Sequence, residues 1–268
     1  MLIVDSQVHT WTTGNPPEVH RQEPYTNDDL IRDMDAAGVD RAVLVPPNWD
    51  PSSIAHADEG VRQHPDRFAI MCNLPFERPE SRALLVGWRR LGLRLTFATP
   101  ERLASLHDGT ADWMWEAAER QGIPIMLAIW GRLAEAIPIA ERHRGLRLVI
   151  DHLGVPVTHR TRDDAAFSDM AAVLALSRFP NVAIKASGLP AHSTEPYPFR
   201  NIHRYLRQVY DAFGSRRTFW GTDLTRVPCS YRQCVTMFTE ELPWLSGDDL
   251  DLVMGRALCE WVGWEIPA

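Results

Sequence analysis

Met1-Leu-Ile-Val-Asp-Ser-Gln-Val-His-Thr-Trp11 carries an apolar run, Leu2-Ile3-Val4, straight into the polar side chains Asp5, Ser6, Gln7 and His9. That is the pattern of a buried strand that surfaces and delivers side chains to a site. Side chains alternate faces along a strand, so Gln7 and His9 are expected to point the same way. Strand-like runs recur at 42–45, 68–73, 92–97, 124–129, 146–151, 182–186 and 218–221. Helical patterns lie between them, at 27–37, 53–63, 81–90, 111–121, 133–142, 167–178 and 201–213. Gly38, Gly122, Gly145 and Gly214 follow such patterns, where a helix C-terminus favours glycine. Asn27-Asp28-Asp29 suits an acidic helix start.

Regular strand–helix alternation predicts an α/β protein, a (β/α)8 TIM barrel rather than an open sheet. A doubly wound sheet usually carries a glycine-rich first turn, and neither G-x-G-x-x-G nor G-x-x-x-x-G-K-[ST] occurs. Two further helices, at 231–242 and 248–261, are expected to close the base. No linker, repeat or low-complexity tract interrupts the chain, so residues 1–268 read as one domain.

Composition narrows the function class. Hydrophobic residues make up 45% and charged residues 24%, as in an ordinary soluble globular protein. A formal net charge of −7 argues against binding nucleic acid or an anionic membrane. No apolar run approaches the roughly 18 residues of a membrane span. The N-terminus lacks a basic start followed by an apolar stretch, so a cytoplasmic location is expected. Cys72, Cys229, Cys234 and Cys259 form no Cys-x-x-Cys pair and read as reduced core residues.

In a barrel, chemistry sits at the C-terminal ends of the strands. Strand one ends in Asp5, Gln7 and His9, and strand four carries Arg94. Strand six ends in Asp151-His-Leu-Gly154. Strand seven gives Lys185-Ala-Ser-Gly188, then His192, and strand eight gives Trp220-Gly-Thr-Asp-Leu-Thr-Arg226. A lone Asp after a strand is most often a cap, and a lone His most often a satisfied core residue. Arg94 and Lys185 within apolar strands are harder to dismiss, because an unpaired buried charge is costly. The set, rather than any one member, is the signal.

These motifs, in this order, resemble the amidohydrolase-related (amidohydrolase 2) family, and within it the branch of 2-pyrone-4,6-dicarboxylate lactonases, sulfomuconolactone hydrolases and sugar lactonases. The closing Val253-Met-Gly-Arg-Ala-Leu-Cys259 resembles that family's C-terminal helix. The resemblance implies that His9 matches the second His of a His-x-His metal clip on strand one. It likewise matches His152 to the strand-six His and Asp223 to the strand-eight general base. Arg94 aligns with an arginine that contacts substrate. The departures matter as much. Gln7 replaces the first His, the bridging strand-four Lys or Glu is absent, and strand five has no His.

A binuclear zinc site needs more imidazole and carboxylate ligands than these. The resemblance to the lactonase branch, represented by enzymes that hydrolyse without metal, makes metal-free hydrolysis of a small lactone or related cyclic, carboxylated compound the leading expectation. Asp223 would activate water, and His9 and His152, helped by Gln7, would donate hydrogen bonds to the oxyanion. A single divalent metal such as zinc on His9, His152 and Asp223 is the alternative site. Arg94 would clamp a substrate carboxylate. Arg226 and His192 would add anion or hydroxyl contacts, or else be solvated loop residues. Lys185 is expected to partner a buried carboxylate, Asp5 or Asp151. Trp11, Trp49, Trp130 and Tyr25 would form an apolar wall for a flat ring, although Trp49 serves equally as loop packing. The expected partner is a small molecule, with a homo-oligomer open. Two other readings compete: a metal-dependent decarboxylase of the same superfamily, and a barrel that binds ligand without turnover.

Overall fold

The computed structural model describes residues 1–156, 158 and 161–266. Its eight strands are β1 (Val4–Val8), β2 (Arg41–Leu44), β3 (Phe68–Cys72), β4 (Gly92–Thr96), β5 (Ile125–Ala128), β6 (Leu148–Ile150), β7 (Val182–Ala186) and β8 (Thr218–Trp220). They stand side by side in chain order, each parallel to the next. Around them run α1 (Asn27–Ala37), α2 (Ser53–Gln63), α3 (Ser81–Leu85), α4 (Pro100–Ala104), α5 (Asp112–Gln121), α6 (Ala136–Arg142), α7 (Met170–Ala175) and α8 (Arg200–Phe213). The chain then adds α9 (Tyr231–Thr239), α10 (Gly247–Asp251) and α11 (Ala257–Val262). This is the (β/α)8 barrel that the alternation predicts.

The seam between β1 and β8 closes through few but well-placed contacts. The Asp223 N–H donates to the Gln7 carbonyl at 3.0 Å. The buried Asp5 carboxylate accepts from the N–H of Thr222 at 2.9 Å, the N–H of Gln7 at 3.0 Å and the Tyr231 hydroxyl at 2.8 Å. Burial pushes its pKa up to about 6, although these donors pull the other way. Gly221 lets the strands meet: a Cβ there would lie 2.2 Å from Ser6 Oγ.

One apolar set lines the barrel interior and comprises Val4, Val43, Met71, Met126, Val149, Ala183 and Phe219, with Leu252, Leu258 and Val262 beneath. A larger set lies between the strands and the helices. Counting in twos from the inward residues reaches Asp151 on the β6 side, Lys185 on β7 and Asp223 beyond β8. β1 does not follow this count. From Val4 the alternation gives Ser6 and Val8, yet Gln7 and His9 line the cavity. The pairing explains it: Asp5 pairs with Ala42 but Val8 with Leu44, so β1 takes three steps where β2 takes two. The bulge shifts the phase and turns Gln7 and His9 inward.

Several expected elements are shorter. The 81–90 helix is only Ser81–Leu85, and the 167–178 helix keeps Met170–Ala175 before a 3-10 turn, Leu176–Arg178. Pro100–Ala104 adds a helix that apolar periodicity had not signalled; Thr99 caps it by accepting from the Arg102 N–H. The expected 248–261 helix is interrupted at Leu252–Arg256 by a wide turn. There Gly255 lets the backbone approach β1, since a Cβ would meet the Leu2 carbonyl oxygen at 2.6 Å. Asn27 lies one residue inside α1, whose cap is Thr26 in a reciprocal box with Asp29. Gly145 ends no helix, because α6 stops at Arg142.

Candidate active site

Gln7 in β1, His9 just after it, His152 after β6 and Asp223 after β8 converge at the C-terminal mouth of the barrel. They form the floor of a cavity of about 500 Å³ whose walls include His20, Trp49, Arg94 and Trp130. His152 and Asp223 take left-handed backbone conformations, with φ of 52° and 51°. For residues other than glycine this costs on the order of 1–3 kcal/mol, and such strain clusters at functional sites. Sharp turns at these strand ends aim both side chains into the mouth.

The tautomer of His9 follows from its partners. Its Nδ1 lies 2.6 Å from the Val45 carbonyl oxygen, which only accepts. Burial pushes the ring's pKa down, so it is neutral with the proton on Nδ1. Nε2 therefore presents a lone pair, 3.3 Å from Gln7 Nε2 and 3.4 Å from Asp223 Oδ1. His152, whose pKa burial lowers well below the ordinary value, sets Nδ1 2.8 Å from Ser187 Oγ and Nε2 3.4 Å from Gln7 Nε2.

Asp223 is buried and meets the Arg226 guanidinium at 2.5 Å through Oδ2. Burial alone would raise its pKa, but the Arg226 guanidinium brings it well below the usual carboxylate range. Among the described residues Oδ1 takes no hydrogen bond. Room for Arg226 comes from Gly188 at φ 70°, where a Cβ would sit 2.2 Å from its Nη2.

A second buried charge cluster flanks the first. Asp151 holds Lys185 at 2.6 Å and Arg94 at 3.0 Å on its two oxygens. Of the two carboxylates expected to partner Lys185, it is Asp151; Asp5 is engaged at the β1–β8 seam. Burial opposes ionisation of Asp151, yet Lys185 and then Arg94 bring its pKa down to about 2. The guanidinium of Arg94 also reaches Thr96 Oγ1 at 2.5 Å and lines the cavity. Three cations, Arg94, Lys185 and Arg226, thus face two carboxylates, Asp151 and Asp223, with neutral imidazoles between. The site carries an unmatched positive charge.

Other expected residues lie elsewhere. Trp11 is buried behind Trp49, ring centroids 5.6 Å apart, and does not line the cavity. Tyr25 sits outside it and donates its hydroxyl to Asp33 Oδ2 at 2.7 Å. His192 is buried with its ring 6.2 Å from Phe167, away from these walls. Arg226 is buried as well, so neither it nor His192 is a solvated loop residue. His20 was missed because it lies in the loop after β1, beyond any strand end. It packs against Trp49, rings tilted 44° and centroids 4.8 Å apart, and sets Nδ1 2.8 Å from Thr225 Oγ1. Ser187, which holds His152, belongs to the Lys185-Ala-Ser-Gly188 motif, where nothing in the sequence marks its role.

The residues fit one metal ion, though not through the expected trio. The ligand atoms that converge, within 4.8 Å of one another, belong to His9, His20 and Asp223. The lone pair of His9 Nε2 suits such a ligand, and the Val45 carbonyl, by accepting from Nδ1, orients its ring. His152 does not join this group.

A family model described as Amidohydrolase matches residues 4–256. The L-fucono-1,5-lactonase of Burkholderia ambifaria is 35% identical over 94 residues, a segment spanning 34% of this chain and 30% of that enzyme. A zinc-bound amidohydrolase from Burkholderia multivorans superposes with a TM-score of 0.83 at 20% identity, covering 98% of this chain and 99% of that one. A probable 2-pyrone-4,6-dicarboxylic acid hydrolase from Acinetobacter baumannii, with citric acid bound, gives 0.76 at 18% identity over 98% and 100%. The 5-carboxyvanillate decarboxylase of Sphingomonas paucimobilis gives 0.64 at 17% identity over 98% and 99%. At these identities the solved structures share the fold alone. With the family model spanning the barrel from β1 to the wide turn before α11, the chain belongs to the amidohydrolase family.

Proposed function

We propose that this protein hydrolyses a small lactone or related cyclic ester bearing a carboxylate, using its own acid–base groups. The observation that carries the reading is the unmatched positive charge at the cavity: Arg94 reaches it, while Lys185 and Arg226 stand behind. The local likeness to an L-fucono-1,5-lactonase supports the reaction class.

In this reading Arg94 binds the carboxylate, and Trp49 and Trp130 flank the ring. The attacking water donates one hydrogen to Asp223 Oδ1, and His9 Nε2 accepts the other. This gives His9 an acceptor role in place of the oxyanion donor expected from sequence, because its neutral tautomer has no N–H at Nε2. The Gln7 amide N–H group meets the developing oxyanion. Arg226 keeps Asp223 ionised at every working pH but also makes it a weak base, so Asp223 orients the water and takes its proton late. It then hands that proton to the leaving alkoxide or enolate. An ion held by His9, His20 and Asp223 would, when bound, supply Lewis-acid polarisation of the carbonyl.

The test is a survey of muconolactones, pyrones and sugar lactones by base-consumption assay. Hydrolysis of at least one, reduced roughly 1,000-fold or more in Asp223→Asn, is expected. Intact turnover in that variant removes the general-base assignment. No turnover of any lactone or ester, with a ligand merely bound, favours a binding barrel.

A further inference from the structure

The side chain of Lys185 is fully buried in β7. Its Nζ lies 2.6 Å from Asp151 Oδ1 and 3.3 Å from Met126 Sδ, and it donates to Gln7 Oε1. An ammonium has donors only. The atom of the Gln7 amide that faces it must therefore be the oxygen, and the nitrogen must face His9 and His152. An amide has two ends of nearly equal shape, so a neutral surrounding would leave its orientation open. Here a fixed charge decides it.

The surroundings agree. His9 has committed its Nδ1 proton to Val45, so its Nε2, 3.3 Å from the Gln7 amide nitrogen, carries no hydrogen and tolerates a donor there but no second acceptor. His152 faces the same nitrogen at 3.4 Å, and the hydroxyl of Ser187 can accept its Nδ1–H. Neutralising Asp151 does not by itself account for Lys185, because Arg94 already pairs with the other oxygen of that carboxylate at 3.0 Å.

We propose that Lys185 is a positioning residue: its ammonium holds Gln7 Oε1, so that the amide hydrogens face the reaction centre and His9 and His152 stay protonated on Nδ1. The consequence for turnover rests on the lactone-hydrolase reading; the orientation and the tautomers do not. Where a metal clip would carry a histidine, this chain sets a neutral amide backed by a buried positive charge.

Nitrogen-15 spectra of histidine-labelled full-length protein test the orientation without any substitution. His152 is expected to be protonated at Nδ1 and bare at Nε2. A His152 proton on Nε2 would mean a flipped Gln7 and would overturn the proposal. In Lys185→Met the amide is free to turn, and a population of the Nε2–H tautomer of His152 should appear. On a hydrolysed lactone, Lys185→Met should lower kcat itself roughly 10–100-fold, and a change confined to KM, which the lost pocket charge alone would give, contradicts the proposal. If Lys185 acts through Gln7, the double variant Lys185→Met/Gln7→Leu is no slower than Gln7→Leu alone; multiplied losses contradict the proposal. Should Lys185→Met fail to fold, Gln7→Glu keeps a partner for Lys185 while removing the N–H group. It should show a loss of the same size, and undiminished turnover in it contradicts the proposal. Absence of lactone turnover in the unsubstituted protein overturns the functional reading and leaves the tautomers to decide the orientation.

Discussion

Gly188 has no reactive atom, yet it decides what Asp223 can do. Its φ of 70° and a would-be Cβ 2.2 Å from Arg226 Nη2 make it the cradle of the guanidinium. Gly188→Ala should push Arg226 off Asp223 and lower kcat/KM by about 10–100-fold. With the neighbouring cation displaced, the Asp223 carboxyl titrates higher. The active, ionised form is then lost sooner on acidification, so the acid limb of the pH–rate profile moves up. A profile identical to that of the unsubstituted enzyme would show that Arg226 does not set the state of Asp223. Gln7→His is the complementary change: it restores the missing imidazole and should tighten zinc binding, as read by calorimetry. At this scale the sequence was legible where charge meets an apolar strand. Lys185 and Arg94 had to find a buried anion, and they share Asp151. His20 was not legible, because a loop residue reaches a site through a path that no local period encodes.

Among elements, β1 shows both the strength and the limit of reading by alternation. Gln7 and His9 do share a face, but they turn inward only because the bulge between Asp5 and Val8 shifts the phase set by Val4. A bulge depends on the neighbour's register, which lies in β2 and not in β1 itself. The shortened α3 is a similar case. Helical propensity continues past Leu85, but Val86 and Gly87 leave the helix, with Gly87 at φ 70°. At the β1–β8 seam, Gly221→Ala would drive a methyl into Ser6 Oγ. Overpacking of this kind costs about 1–3 kcal/mol. In a chain of this size that should lower Tm by roughly 2–4 °C per kcal/mol. An unchanged Tm in a thermal melt would mean that the seam is slack.

The whole molecule balances an acidic surface against a cationic pocket. Its formal net charge is −7, yet the mouth of the barrel gathers Arg94, Lys185 and Arg226. Composition shows the first; the strand ends carry the three cations, and the folded chain gathers them beside two carboxylates. Asp151 ties this pocket to stability. Its folded pKa of about 2 lies below the unfolded value near 3.8, so its contribution is present above about pH 4 and fades as pH falls toward 2. Asp151→Asn should flatten that limb in pH-dependent unfolding. At neutral pH it should also destabilise the protein by a few kcal/mol, because Lys185 is left buried without its anion. No helix among the described residues is long and apolar enough to cross a membrane. The most direct test of the central claim compares one hydrolysed lactone as its free carboxylate and as its methyl ester, with chelator-treated protein. The account predicts full activity after chelation and kcat/KM at least about 100-fold higher for the carboxylate, as expected for a lost charged pair. Activity abolished by the chelator and restored by zinc, or equal turnover of acid and ester, would contradict it.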